Sequence, residues 1–280
     1  MSTTSVQVRV VTPDIATDWL KSNSNNRNIR TAVVEKYRSD MAAGRWTFAG
    51  DPIRFDTAGQ LIDGQHRLTA ISRMPDDFSI DMVVITGLAD KAQHVMDQGS
   101  KRTGGDQLKI AGVKNSSLVA SAVRLVLIHD AGALFKDNST RIIYASVPAI
   151  EEWVFSNLGA VDLIAEVQGN IRVLPAAPSP INAAAVIISR VASADLVVRF
   201  FDIAANGGGP KDSGPNALRS RLMKIDKSSR HLTDRELIAN TIRAWNAWVE
   251  HKPTTLRDPR HTTAKLTGWN LDNFPTPISA

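Results

Sequence analysis

The sequence predicts an α+β protein, in which a first domain of mixed strands and helices precedes a mainly α-helical second domain. Up to about residue 112, short alternating or continuous apolar runs typical of strands are interspersed with helical patterns. Beyond that point, apolar residues recur only at the three- and four-residue spacing of helices. A chain of 280 residues is long enough for two ordinary domains. We therefore expect domains at residues 1–112 and 113–252, followed by an extended or mobile tail at residues 253–280.

The first domain is expected to open with one strand and two helices. Residues 6–11 alternate valine with glutamine and arginine, which is typical of a half-buried strand. The run Thr12-Pro13-Asp14 indicates a helix start, because proline is tolerated in the first helical turn. A second helix is predicted over residues 31–43, and Gly44 ends its apolar period.

A short hairpin and a glycine turn are expected next. Residues 52–56 and 60–63 flank a turn at residues 57–59, a pattern that favours two paired strands. Gly64 then leads directly into a helix that starts near Gln65.

The remaining elements follow from the same patterns. Residues 79–86 predict a buried strand and residues 89–97 a helix. The second domain is expected to be helical throughout, and its last helix begins with a capping box formed by Thr233 and Glu236. Glycine, proline and asparagine stops separate its five predicted helices, near residues 116–131, 147–168, 181–204, 216–224 and 233–250.

Composition limits the chemistry that this chain can perform. It has no cysteine, which excludes disulfides, thiolate nucleophiles and cysteine-based zinc sites. No run approaches about 18 consecutive apolar residues and no leader-like segment opens the chain, so we expect a cytoplasmic protein without a membrane partner. The net charge is +5, and most of the excess falls after residue 112, where 19 Lys and Arg face 15 Asp and Glu. Any DNA-facing surface is therefore expected in the C-terminal part.

The stretch of residues 59–70 carries the strongest chemical signal, because an apolar strand passes through Gly64 straight into a helix. A glycine lets the backbone approach a phosphate, and the unpaired N–H groups and dipole of a helix start favour an anion. Gln65, His66 and Arg67 add side-chain donors, and a guanidinium fork matches phosphate oxygens. On spacing alone, a turn whose polar residues only cap the helix remains the alternative.

This stretch resembles the nucleotide-binding motif of the ParB/sulfiredoxin superfamily. An apolar strand there runs into Gly-Glu-Arg-Arg in ParB proteins or Gly-Cys-His-Arg in sulfiredoxin, and residues 64–67 here read Gly-Gln-His-Arg. Residues 63–67 also spell the Asp-Gly-Gln-His-Arg signature of DndB-like proteins, and similar runs occur in phage ParB-like proteins. Residues 26–30 stand where ParB proteins have an Asn-Pro-Arg-like box. The resemblance covers residues 6–110 and implies a ParB/sulfiredoxin-like N-terminal domain.

The resemblance implies that Gly64, Gln65, His66 and Arg67 bind a nucleoside triphosphate, ATP or CTP. It also implies action on or beside DNA, in bacterial or phage DNA modification or its regulation. Sulfinic acid reduction is excluded, because Gln65 replaces the cysteine that it requires. Gln65 and His66 also replace the Glu-Arg pair of the CTP-dependent clamps, so a preference for cytosine and clamp closure are not carried over.

Related folds include a kinase and proteins described as nucleases, so a phosphotransferase or nuclease is the alternative. His66 would then assist proton transfer, although a histidine at a helix start also serves as a ligand contact or a cap. Asp63 would bind Mg²⁺, with Asp97 and Asp106 as further carboxylates, or it would instead cap the following helix. A third alternative is a binding module without catalysis that forms homo-oligomers through its helical domain.

Residues 97–106 form a second polar cluster, with three glycines, two hydroxyls and two basic side chains. Lys101, Arg102 and Thr103 are candidate phosphate contacts, because ParB proteins have a basic segment at the same place along the chain. An ordinary interdomain linker is the alternative.

Residues 218–230 form the most basic stretch of the chain, with five positive residues and one negative. It would rest on a DNA backbone, or it is the solvated face of a helix whose leucines are buried. The candidate DNA contacts are Arg219, Arg221, Lys224 and Lys227.

Overall fold

A computed structural model describes residues 4–24, 26, 28–89, 92, 103–226, 231–256 and 269–280. The chain divides into two compact units, one of residues 1–101 and 138–149 and the other of residues 102–137 and 150–280. The boundary between the two units thus falls near residue 101, whereas the sequence predicts it at residue 112. A later segment, residues 138–149, belongs to the first unit. Strands and helices are both present, which confirms the α+β class.

The first unit contains a mixed four-stranded sheet with the order β1-β4-β2-β3. Strands β1 and β4 are antiparallel, as are β2 and β3, whereas β4 and β2 run parallel. The predicted positions of the first strand, the hairpin and the later strand are therefore confirmed. The predicted burial is not, because β1 is exposed over most of its length and β4 buries only Met82 and Val84. The strands are β1 (Ser5–Val11), β2 (Pro52–Asp56), β3 (Leu61–Asp63) and β4 (Ile80–Leu88).

Three helices pack on one face of this sheet: α1 (Pro13–Leu20), α2 (Thr31–Ala42) and α3 (Gln65–Ile71). The Thr12 hydroxyl accepts a hydrogen bond from the Ile15 N–H at 3.4 Å, so the predicted start of α1 is confirmed. Apolar side chains of the sheet and helices form one core, which includes Val11, Ala16, Val34, Ile53, Phe55, Leu61 and Leu68. Burial of these side chains is the main force that holds α3 against the sheet.

Beyond β4, every regular element among the described residues is helical. In the second unit, α9 is the central helix and packs against α5, α8 and α12. The capping box predicted at Thr233 and Glu236 is present at the start of α12. The helices are α4 (Gly104–Ile110), α5 (Ser116–Asp130), α6 (Asn138–Tyr144), α7 (Val147–Ser156), α8 (Leu158–Arg172), α9 (Pro178–Ile188), α10 (Ala194–Asn206), α11 (Gly214–Asp226) and α12 (Asp234–Val249).

Two stretches that the sequence predicts as single helices are each two helices. The stretch 147–168 is interrupted at Asn157, whose side-chain amide donates to the Trp153 carbonyl at 2.8 Å and so satisfies the end of α7. The stretch 181–204 is interrupted by a turn at residues 189–193. Neither α4 nor α6 was predicted, and most of the helix predicted over residues 89–97 lies outside the described residues.

The returning segment of the first unit is held by a buried carboxylate. Helix α6 packs against α2, and just beyond it the Ser146 hydroxyl donates to Asp40 at 2.7 Å. The Asp40 side chain also receives a bond from Arg45 Nε at 2.9 Å and is only 4% exposed. Because a buried charge needs such partners, this network fixes the segment to α2.

Residues 269–280 run without helix or strand along α12 in the second unit. The Trp245 indole N–H donates to the Ile278 carbonyl at 3.0 Å. The Asn246 amide donates to the Thr276 carbonyl at 2.9 Å and accepts from the Ile278 N–H at 3.1 Å. Across the part of the chain that the structure describes, no helix is long and apolar enough to cross a membrane.

Candidate functional site

The turn between β3 and α3 depends on a glycine in a left-handed conformation. Gly64 has φ +101° and is the residue at the N-cap of α3. A Cβ atom there would lie 2.5 Å from Ile53 Cδ1 and 3.4 Å from Ile53 Cα on the neighbouring strand. Conformation and space therefore both require glycine at this position.

Asp63 ends β3 and faces two arginines. Its Oδ2 atom accepts hydrogen bonds from Arg54 on β2 and from Arg67 Nη2, the latter at 3.2 Å. Gly64 is the N-cap and no side chain among the described residues caps α3, so the interpretation of Asp63 as the cap of this helix is wrong. Two guanidinium groups against one carboxylate leave this cluster with a net positive charge.

The Arg67 guanidinium is held on two sides through Nη2. Besides its bond to Asp63, Nη2 donates to the Pro52 carbonyl at 2.8 Å. Nη1 is buried, and it has no hydrogen-bond partner within the part of the chain that the structure describes. A buried guanidinium donor without an acceptor is costly, and an anionic ligand is the kind of partner that would satisfy it.

His66 and Gln65 face the protein interior. They are 8% and 5% exposed, respectively. His66 Nε2 accepts a hydrogen bond from the Arg30 backbone N–H at 3.0 Å, which places the proton of the neutral ring on Nδ1. Gln65 Oε1 accepts from the Asn23 amide at 3.2 Å. Both side chains thus anchor the segment before α2.

The segment before α2 contains residues 26–30, the counterpart of the Asn-Pro-Arg-like box, and it lies against β3 and the motif of residues 63–67. The Asn26 amide donates to the Leu61 carbonyl and to the Asn23 side-chain oxygen. The Leu61 N–H donates in turn to the Ser22 carbonyl at 2.9 Å. Two segments separated by more than 30 residues therefore form one cluster, with the Arg30 side chain exposed at its surface. Arg27 of the box lies outside the described residues.

An ion-pair network joins α2 to the residues just after α3. Glu35 on α2 accepts from Arg38 at 2.8 Å and from Arg73, just after α3, at 3.0 Å. The hydrogen bond from Arg38 lowers the pKa of Glu35 against the opposing effect of burial, and Arg73 lowers it further. This network links the end of α3 to α2.

The described residues do not fit a magnesium ion held by Asp63. No group of three histidine or acidic side chains that could hold a metal occurs among them. Asp63 faces the charges of Arg54 and Arg67, which repel a cation. Asp106 binds Thr103 instead, and Asp97 lies outside the described residues.

The polar cluster at residues 97–106 is described only from Thr103 onward, so Lys101 and Arg102 lie outside the described residues. The Thr103 hydroxyl donates to Asp106 at 2.7 Å and accepts from its N–H at 3.2 Å, which forms a capping box for α4. Both hydrogen-bonding functions of this hydroxyl are therefore occupied in capping.

The described part of the basic stretch, residues 218–226, lies on α11, where leucines 218 and 222 are buried. Lys224 is exposed, Arg219 and Arg221 are half-buried, and Lys227 lies outside the described residues. The predicted buried stripe is thus present, and among the described candidates Lys224 presents the most accessible charge.

Sequence reasoning missed Arg54 and Asn23. The alternation of β2 could have indicated Arg54, because its neighbours Ile53 and Phe55 are buried and the strand points successive side chains to opposite faces. Asn23 gives no comparable signal, because its contact with Gln65 spans 42 positions.

A scan against protein-family models and searches of curated proteins and solved structures find no match to this chain.

Proposed function

We propose that this chain binds a nucleoside triphosphate, ATP or CTP, at the turn of residues 63–67 and acts on or beside DNA. The setting that we propose is that of ParB-like proteins in DNA modification or its control. The observation that carries the proposal is the buried Arg67 Nη1, which has no hydrogen-bond partner among the described residues. The Asp-Gly-Gln-His-Arg run of residues 63–67 supplies the second, independent support.

A phosphate group suits this cluster on charge and geometry. Arg54 and Arg67 share the single carboxylate of Asp63, which leaves a positive excess for an anion. The bonds from Arg67 to Pro52 and Asp63 hold the guanidinium plane in place, so little side-chain entropy would be lost on binding. Helix α3 has seven residues, so the guanidinium rather than the helix dipole supplies most of the attraction.

The same geometry favours binding over turnover. The Nε2 lone pair of His66 is occupied by the Arg30 N–H, which makes that nitrogen a poor proton acceptor. Asp63 is paired with two arginines and is therefore a poor magnesium ligand. We accordingly propose a nucleotide-binding protein in preference to a phosphotransferase or nuclease.

Thermal melting with ligands tests the phosphate site. Purified protein is melted with ATP, CTP, GTP or UTP, and with tripolyphosphate as a probe for the phosphates alone, each with and without Mg²⁺ and duplex DNA. A ligand at about a hundredfold excess over its Kd adds about 2.7 kcal/mol, which corresponds to a shift of several degrees. A response to tripolyphosphate would indicate recognition of the phosphates without the base.

Two variants make the test specific. Arg67→Lys keeps the charge but removes the fork, and we expect it to abolish most of the shift. Arg73→Ala is the matched control, because Arg73 follows the same helix, is 45% exposed and binds Glu35 instead. The absence of a shift with every nucleotide, with or without Mg²⁺ and DNA, would overturn the proposal. An equal loss of shift in both variants would also count against it.

A further inference from the structure

Strand β1 forms one edge of the sheet, and its side chains are unusually exposed for a strand. Val6, Val8 and Val10 point to the same face and are 64%, 60% and 56% exposed. Val83 and Ile85 of β4 pair with Val8 and Val6 and extend this apolar face. Exposed β-branched residues on an edge strand are the usual mark of a surface that pairs with another strand.

The two edge strands of the sheet, β3 and β1, differ in whether other parts of the chain cover them. The β3 edge is covered, because the Leu61 N–H donates to the Ser22 carbonyl and the Leu61 carbonyl accepts from Asn26. Within the described ranges, the hydrogen bonds of β1 that reach another strand all go to β4, so its outer edge is open.

Strand β1 has few of the features that usually protect an open edge. It contains no proline and no lysine over its seven residues, and its one charged side chain, Arg9, lies over the Trp19 ring. Its register with β4 continues without a bulge from Ser5 opposite Thr86 to Val11 opposite Ile80, whereas both pairings of β2 contain irregularities. Seven regularly paired residues are therefore available as a template for a further strand.

We propose that the partner of this edge is β1 of a second copy of the chain, paired antiparallel about a twofold axis at Val8. This register overlaps all seven residues and sets Val6 opposite Val10, and Val8 opposite itself. On the other face it sets Arg9 opposite Gln7, a pair that can hydrogen-bond without charge repulsion. The two sheets become one continuous sheet of eight strands.

The sequence of β1 disfavours the neighbouring registers. An axis at Arg9 would place two arginines directly opposite each other and would leave Ser5 and Val6 without strand partners. An axis at Gln7 would leave Val10 and Val11 without partners. Only the axis at Val8 pairs the whole strand and separates the charges.

A seven-residue edge is smaller than a standard interface of about 800 Å² per partner, so the dimer should dissociate in the micromolar range. Sedimentation velocity of the full chain is measured from about 1 to about 300 µM, which brackets that range. We expect the mass to rise toward that of two chains. Val8→Glu places two carboxylates at the axis and should weaken association at least tenfold.

Val173→Glu is the matched control, because Val173 is 62% exposed at the end of α8 in the other unit. It should associate as the wild type does. A chain that stays monomeric throughout the range would overturn the proposal. Association that Val8→Glu leaves unchanged would overturn it as well.

The register can be tested separately, because the chain has no cysteine. Under mild oxidation, Val8→Cys should cross-link with itself, since directly opposite Cβ atoms lie about 4.5–5.5 Å apart. Val6→Cys should not, because the two copies of position 6 are about 13 Å apart along the strands. A mixture of Val6→Cys and Val10→Cys should cross-link. Equal self-cross-linking of Val6→Cys and Val8→Cys would rule out this register.

Discussion

Arg190 binds Asp130 through two parallel hydrogen bonds, from Nη1 to Oδ1 at 2.6 Å and from Nη2 to Oδ2 at 2.8 Å. The pair joins the end of α5 to the turn after α9 within the helical unit. His129 Nδ1 lies 3.2 Å from the same carboxylate. Burial opposes ionisation of Asp130, but the bonds from His129 and Arg190 outweigh it and lower its pKa to about 2.

Acid should therefore weaken the helical unit in a defined window. Because the pKa of Asp130 is lower in the folded chain than its ordinary value of 3.8, the stabilisation is complete above that value and disappears as the pH falls toward 2. The side chain is 36% exposed, so we expect a contribution of about 1 kcal/mol rather than the full conversion of the shift.

Urea unfolding at about pH 5 and about pH 2 measures this contribution. The wild type should lose about 1 kcal/mol more than Asp130→Asn between the two conditions, because the variant has no carboxyl to protonate. Asp162→Asn, at an exposed position of α8, should behave as the wild type does. Equal losses in wild type and Asp130→Asn would contradict the assignment.

Gly64→Ala should be among the most destabilising single methyl additions in the first unit. The new Cβ would lie 2.5 Å from Ile53 Cδ1, and φ +101° strains any side chain, so we expect a loss of about 3 kcal/mol. Gly59→Ala separates the steric clash from the backbone strain, because Gly59 has φ +77° but a Cβ atom there would have no other atom within 4 Å. It should cost about 1 kcal/mol from conformation alone.

A double-mutant cycle then isolates the steric part, since Ile53→Val removes the Cδ1 atom that clashes. In that background, Gly64→Ala should cost about 1 kcal/mol less than in the wild type. Chemical denaturation of the four proteins gives the coupling energy. Additive costs would show that backbone strain alone requires glycine at this turn.

Local patterns predicted much of the first unit, because caps and strand alternation are properties of neighbouring residues. The Thr12 cap and the valine alternation of β1 are examples. The interruption at Asn157 left little trace, because helical apolar spacing continues from α7 into α8. An asparagine that bonds back to its own helix is a weak signal against that continuity.

The parts that the sequence could not predict depend on pairings across long stretches of chain. Ser146 reaches Asp40 across 106 positions and brings a later helix into the first unit. The contact between His66 and the Arg30 N–H is another such pairing, and it makes His66 an anchor of the site. A sequence motif indicates which residues belong to a site. Contacts between distant segments determine which of their atoms can still bind a ligand.

Asn246→Ala should release the tail from α12. Its amide makes one bond to Thr276 and one to Ile278, and loss of a net contribution near 1.4 kcal/mol corresponds to about tenfold faster amide exchange at Ile278. Hydrogen exchange of residues 269–280 provides the measurement. Asn206→Ala is the control, because that amide binds Asp202 on α10. Unchanged protection of Ile278 would assign the attachment to the other contacts of the tail, which include the Trp245 bond and the packing of Phe274 against Phe135.

Lys224 is the described residue of the basic stretch on α11 whose side chain is most accessible to a DNA backbone. If the chain contacts duplex DNA through α11, Lys224→Ala should weaken binding to all sequences alike. It should also reduce the slope of log affinity against log salt concentration by about one, because one phosphate contact is lost. Lys114→Ala, at an exposed lysine just before α5, is the matched control. Anisotropy titrations of a labelled duplex at several KCl concentrations give both slopes. Equal losses in the two variants would indicate diffuse attraction to a positive chain, and an unchanged slope in Lys224→Ala would remove α11 from the DNA-binding surface.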